Sequence, residues 1–155
     1  MAVSYSTDYN SADDIGFVMV HGLYLLDYDQ IWFHDAPQTL KFKIEPALGV
    51  TTHGPDDDLL ASLNAFAHYY FQEWTGGPFR PYFEAGIGLI FTDFKLQSQG
   101  SRLNFNPQLG LGTDLVILEN LELYTSIRIH HISNAGMLKD NRGVNALMFI
   151  VGVYF

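Results

Sequence analysis

The sequence has no cysteine, few charges and no long apolar run. Without cysteine in its 155 residues, the chain can hold neither a disulfide framework nor a thiolate zinc site, which is compatible with a periplasmic or cell-surface location. Charged residues make up only 16%, against about 25% in an average soluble domain, so the groups that normally coat a water-facing surface are scarce. Lysine and arginine total 8 against 17 acidic residues, for a net charge of −9. No basic patch is available to neutralise phosphates, which argues against a nucleic-acid partner. The longest nearly unbroken apolar stretch, ALMFIVGVYF, is about half of the ~20 residues a membrane-spanning helix needs, yet it matches the ~9–11 residues of a tilted membrane strand. The opening AVSYSTDYN carries no basic n-region and no apolar h-region, so an exported chain is expected to be in its mature form.

What is present is a period of two. In RLNFNPQLGLGTDL, Leu103, Phe105, Pro107, Leu109, Leu111, Thr113 and Leu115 alternate with Arg102, Asn104, Asn106, Gln108, Gly110, Gly112 and Asp114. FRPYFEAGIGLIF, TLKFKIEPALGVTT, LELYTSIRIHHIS and NALMFIVGVYF repeat the pattern; LLASLNAFAHYYFQ does so more weakly, and DIGFVMVHGLYLLDY is apolar on both faces with no clear register. A short strand near AVSYSTDY brings the expected count to eight. Turn-forming clusters separate these runs: NSADD, DQIWFHDAPQ, HGPDDD, EWTGGP, QSQGS, EN and SNAGMLKDNRG. No linker or composition break divides residues 1–155, so a single antiparallel barrel or sandwich is expected, with helical content close to nil.

Alternation does not say which face is inside. A lipocalin-like soluble barrel turns its apolar face inward and a membrane barrel turns it outward. Three features favour outward. The polar face combines glycine with charges of both signs (Lys41, Lys43, Glu45, Arg80, Glu84, Asp114, Glu122, Arg128), as suits a crowded lumen in which buried charges need partners. The apolar face is unrelieved Leu, Ile, Val and Phe with aromatics near strand ends. The chain also ends on Tyr154 and Phe155, a terminal aromatic that resembles the closing signature of bacterial outer-membrane barrels. The expected fold is therefore all-β, an eight-stranded antiparallel transmembrane β-barrel.

On the strand over residues 120–133 the lipid-facing parity runs Leu121, Leu123, Ile127, Ile129 and continues to His131 and Ser133; on the returning strand it gives Asn145, then Leu147. These three polar residues should cluster on the lipid-facing side near the outer leaflet, where polar groups are costly. Residues i and i+2 of a strand lie roughly 7 Å apart on one face, so a serine hydroxyl and an imidazole can meet by rotamer choice, and a neutral histidine can take the serine proton. On residues alone, the competing reading of His131 and Ser133 as ordinary interfacial polar groups at a strand end stands beside this one.

The motifs HISNAG and NRGVN before a final aromatic strand, with PYFEAGIG and GSRLNFNPQLGLG upstream, resemble the lipid A 3-O-deacylase (PagL) family. The resemblance covers residues 79–155 well and the first half only by pattern. It implies an eight-stranded barrel of the bacterial outer membrane that hydrolyses the 3-O-linked acyl chain of lipid A in the outer leaflet, with its site facing the bilayer and no cofactor. It implies Ser133 as nucleophile, His131 as general base, and Asn134 and Gly136 as oxyanion donors. One position departs: the family's histidine is oriented by a glutamate where this chain has Asn145. An amide can accept the imidazole N–H, as in Cys-His-Asn sites, but cannot offset the imidazolium charge; Asp140 is the alternative carboxylate. A homodimer is compatible with this reading.

Other chemistries fare worse. His21, His34, His53 and His68 form no pair at ligand spacing on a shared strand, so no metal site is expected. His130 has lumenal parity. Glu45 and Glu84 could be read as a glycosidase pair, but their parity favours an interior salt network. GIG and GLGTD precede no helix and are not a dinucleotide fingerprint. The main rival from another class is a non-enzymatic structural or adhesion barrel, which has no need of the H-I-S-N constellation.

Overall fold

A computed structural model describes residues 1–9, 15–52, 58–71, 77–93 and 99–154; Phe155 and residues 53–57 of the acidic HGPDDD stretch lie outside this set. The strands are β1 (Ala2–Asp8), β2 (Gly16–His21), β3 (Tyr24–Asp27), β4 (Leu40–Thr51), β5 (Leu59–Tyr70), β6 (Phe79–Thr92), β7 (Leu103–Phe105), β8 (Gln108–Leu118), β9 (Leu121–Ile132) and β10 (Val144–Tyr154), with one short helix, α1 (Tyr28–Trp32). All pairings are antiparallel, and the sheet closes because β1 pairs with both β2 and β10. Two staves are interrupted without losing register. β2 and β3 both pair with β4 across the break at Gly22, which faces Pro46. β7 and β8 both pair with β6 across Asn106 and Pro107, where proline supplies no N–H to the ladder. Counted as staves, this is the eight-stranded antiparallel transmembrane barrel expected from the alternation.

The faces follow the period-two reading. Leu109 is 44% and Phe149 48% exposed on the outer wall, while Arg128 is fully buried in the lumen. A closed eight-stranded barrel has an interior just wide enough to be filled by side chains, and this lumen is stacked in layers. A charged layer sits in the middle. Arg128 makes a two-pronged contact with Glu45 (2.7 and 2.8 Å) and donates from Nε to Glu84 (2.6 Å). Lys43 contacts Glu84 and lies 3.2 Å from Glu45. Ser126 donates to Glu84, and His21 bridges Glu45 and Ser4. Two cations thus meet two carboxylates, so that each buried charge has an opposite partner.

Towards the barrel ends apolar and aromatic side chains join the polar ones in the lumen, a departure from the simple greasy-out, polar-in expectation. Towards the end bearing the β9–β10 loop (the top), the interior holds an apolar cluster, Phe17, Met19, Leu60, Ile90, Ile132 and Val144, beside buried Thr51, Thr92, Asn104 and His130. Towards the other end it is aromatic, with Tyr70, Tyr82 and Tyr124 beside Met148 and Ile150. The ionic layer lies between these two clusters, with Lys43, Glu45, Glu84 and Arg128 all fully buried. A second departure is α1, which lies in a stretch read as a plain turn.

Candidate active site

β9 and β10 are paired so that Asn145 stands directly opposite His131. Both are half-buried on the outer wall at the top. The Nδ1–H of His131 donates to Oδ1 of Asn145 at 2.6 Å. Because Oδ1 can only accept, this bond fixes the tautomer and leaves the lone pair on Nε2. Across the other edge of β9, the backbone N–H of His131 donates to the carbonyl of Pro107 at 3.0 Å.

Ser133 lies one residue past the end of β9 and is 8% exposed. Its backbone is held by a bridge to Phe105, with N–H to O at 3.1 Å and the reciprocal bond at 2.8 Å. It shares His131's parity, but no hydrogen bond joins the two side chains. Bringing Oγ to Nε2 is a matter of side-chain torsion over the i to i+2 spacing, and such contacts commonly tighten only when substrate binds.

Asn134 and Gly136 are occupied within the β9–β10 loop. The two protons of Asn134 Nδ2 go to the carbonyls of Gln99 (3.2 Å) and Asp140 (2.7 Å), its Oδ1 accepts the Gly136 N–H (3.0 Å), and its own N–H donates to Asn141 Oδ1 (2.8 Å). The turn is tight: Ala135 and Gly136 both have positive φ, at 54° and 76°. Within residues 133–137 the N–H of Ala135 is the one without a partner among the described residues. Asp140 is tied to Asn134 through its carbonyl, and its carboxylate makes no hydrogen bond or ion pair to His131.

Two contributors went unread in the sequence. A Cβ built on Gly143 would lie 2.5 Å from Cε1 of His131, so the bare backbone at Gly143 forms one wall of the imidazole's seat. The signal was available: Gly143 and Asn145 share parity, so a glycine beside the histidine could have been inferred. Tyr9 is the other. Its N–H donates to the Asn145 carbonyl at 3.1 Å, and its side chain borders a depression of 200 Å³ with Pro107, Leu109, Ile129, His131 and Asn145. That depression leads into a second of 360 Å³ along Leu111, Ile127 and Phe83, the two sharing Leu109 and Ile129. The wall below His131 is thus an apolar furrow. His130 points the other way: its Nδ1 meets Asn106 at 3.1 Å in the lumen, and its ring packs edge-on against Phe17.

A tautomer-fixed histidine with a neighbouring serine, set in a lipid-facing wall above an apolar furrow, suits attack on an ester whose acyl chain stays in the membrane. Comparison with known proteins agrees on the family. The family model described as lipid A 3-O-deacylase (PagL) matches residues 22–154. The lipid A deacylase PagL of Pseudomonas aeruginosa is 28% identical over 123 residues, covering 77% of this chain and 68% of that protein. Among solved structures, the outer membrane enzyme PagL superposes with a TM-score of 0.67 at 20% identity over 99% of both chains. Neisserial surface protein A superposes with 0.66 at 19% identity, over 98% of this chain and 90% of that one. The two scores are nearly equal, so the barrel alone does not separate an enzyme from a surface protein; the family match, which runs through the site, does. The chain belongs to the lipid A 3-O-deacylase (PagL) family.

Proposed function

We propose that this protein is an outer-membrane esterase that removes the 3-O-linked acyl chain of lipid A, with Ser133 as nucleophile, His131 as general base and Asn145 as the residue that positions His131. The observation that carries the reading is the His131–Asn145 hydrogen bond on the lipid-facing wall, with Ser133 two residues further on. In a structural barrel these polar groups would cost stability without return.

The chemistry follows from the tautomer. With the Nδ1 proton held by Asn145, Nε2 takes the Ser133 proton as Oγ attacks the ester carbonyl, giving a tetrahedral oxyanion and an imidazolium. Collapse expels the sugar oxygen, which takes the proton from Nε2 and leaves as the alcohol. Water, deprotonated by Nε2, then releases the fatty acid and restores Ser133. For the oxyanion, Asn134 and Gly136 remain the proposed donors. Using them requires the loop to release one of the internal bonds described above, while the Ala135 N–H is already free. The leaving acyl chain would lie along Leu109, Leu111, Ile127 and Ile129. That the ester sits at the membrane surface explains why the site faces lipid rather than the lumen, which is filled by side chains.

The test is mass spectrometry of lipid A after incubation with the refolded barrel. Loss of one ester-linked hydroxyacyl group, with the sugar 3-hydroxyl freed, is expected. Intact lipid A after prolonged incubation with folded protein in detergent would favour the non-enzymatic barrel instead.

A further inference from the structure

The connections at the lower end of the barrel are residues 28–39, 71–78 and 119–120, and the first is the longest. In membrane barrels of this class the inner turns are short, and the β8–β9 turn at the lower end, residues 119–120, obeys. The β3–β4 connection at the same end runs over residues 28–39 and contains α1. Its aromatic residues do not fold into the lumen. Trp32 sets its ring edge-on against Phe42, with centroids 5.9 Å apart, and Phe42 lies on the lipid-facing stripe of β4. Trp32 is nonetheless 54% exposed, and Phe33 beside it is 92% exposed. Phe33 also closes the helix in the left-handed conformation (φ 53°), with its N–H on the Asp29 carbonyl at 3.0 Å, a position that glycine normally fills.

We infer that α1 is a membrane hook: Trp32 and Phe33 insert into the headgroup–acyl boundary of the inner leaflet, against the barrel's lower rim. The occupant is a lipid surface because the hook continues a surface that already faces lipid. It covers Phe42 on the outer wall, whereas Leu48 and Val50 higher on the same stripe are bare. Tyr24 and Phe79, exposed at the same rim, complete the kind of aromatic band that sits at a bilayer interface. The polar side of the connection stays with water: Asp27 pairs with Lys41, and Asp29 and Asp35 are exposed. A one-turn helix with Trp32 against the membrane wall and exposed acids beside it has the amphipathic form of an interfacial anchor. The inference rests on the lower end facing the inner leaflet, not on the esterase reading, so the two can fail separately.

The sequence lacks cysteine, so Phe33→Cys offers a single site for a nitroxide. In vesicles of phosphatidylcholine and phosphatidylethanolamine, its relaxation should respond to lipid-partitioning oxygen more than to a water-soluble nickel chelate, at a depth near the headgroups. A second measurement keeps both aromatics of the hook. In Trp74→Phe protein, which leaves Trp32 as the sole tryptophan, emission should be blue-shifted. It should be quenched more by lipids brominated near the glycerol than by lipids brominated at mid-chain. A label that meets the nickel chelate as freely as one on an aqueous loop, together with unquenched Trp32 emission at the wavelength of hydrated indole, overturns the proposal. So does dipolar broadening between labels, which would make the occupant a second copy of the chain.

Discussion

Replacing Asn145 by glutamate asks what an amide in this position does and does not supply. The amide oxygen lies 2.6 Å from His131 Nδ1, so a carboxylate oxygen placed there would face the imidazolium formed as Ser133 attacks. With the imidazolium charge spread over both ring nitrogens, the mean separation is about 4 Å. At an effective dielectric near 20, that corresponds to about 4 kcal/mol of attraction. Desolvating a carboxylate on the half-buried wall returns part of this, which leaves roughly 1.5–3 kcal/mol, or about 10–100-fold in rate. The sign with pH follows. A neighbouring carboxylate raises the proton affinity of an imidazole, and only neutral His131 can act as base. The acid limb of the rate profile should therefore move to higher pH, and the gain should be larger at pH 9 than at pH 6. The assay is initial release of hydroxy fatty acid from lipid A in detergent micelles, for both proteins across that range. Asn145→Ala should lose about 1–3 kcal/mol of orientation, so its rate falls but does not vanish. A correctly folded Asn145→Glu barrel with an unchanged or lower rate at every pH would mean that another group already holds His131, and Asp140→Asn would be the next variant to measure.

Ser133→Ala and His131→Ala should each remove activity by several orders of magnitude, and the double variant should be no worse than either, because the two groups act as a unit. Gly143→Ala should lower kcat about a hundredfold by displacing the imidazole, while leaving KM and the thermal unfolding temperature near wild type; equal loss of stability would make Gly143 a folding residue instead. Arg128→Ala strips Glu45 and Glu84 of one of their two shared cations and should cost about 3–5 kcal/mol, read as a lowered urea midpoint in detergent; an unchanged midpoint would mean that Lys43 alone balances the layer. Addition of a chelator to micellar assays should leave the rate unchanged, and a loss restored by a divalent ion would contradict the Ser-His scheme.

The features legible in the sequence are those that depend on strand parity. Leu109 and Phe149 are outside, and Arg128, Glu45 and Glu84 inside, because side chains of a strand alternate; the alternation breaks at the bulge between Val116 and Leu118, where Ile117 and Leu118 are both exposed. The same rule carried His131 and Asn145 to one face across two strands, and they meet there. What parity does not reach is anything set by torsions or by loop-to-loop contact. The rotamer of Ser133 is one such case. The occupation of Asn134 by Gln99 and Asp140 is another, since it depends on two loops far apart in sequence packing together. The helix within DQIWFHDAPQ was missed because a single turn has no periodicity to read. The apolar and aromatic clusters towards the barrel ends share lumenal parity with the charges, and parity alone does not tell which level of the lumen each residue fills. Phe155, which weighed in the choice of a membrane barrel, lies outside the described residues, and that choice now stands on the exposed outer wall and the family match.

The esterase chemistry requires Ser133 to be an activated nucleophile. A long-chain alkyl fluorophosphonate reacts with such a serine by displacement of fluoride, and peptide mass spectrometry locates the adduct. Applied to the folded barrel in detergent, it should leave one adduct, on the peptide carrying Ser133, accompanied by loss of lipid A cleavage, and His131→Ala should abolish the labelling. An adduct on any other residue, or full cleavage of lipid A by protein that carries the adduct on Ser133, would contradict it.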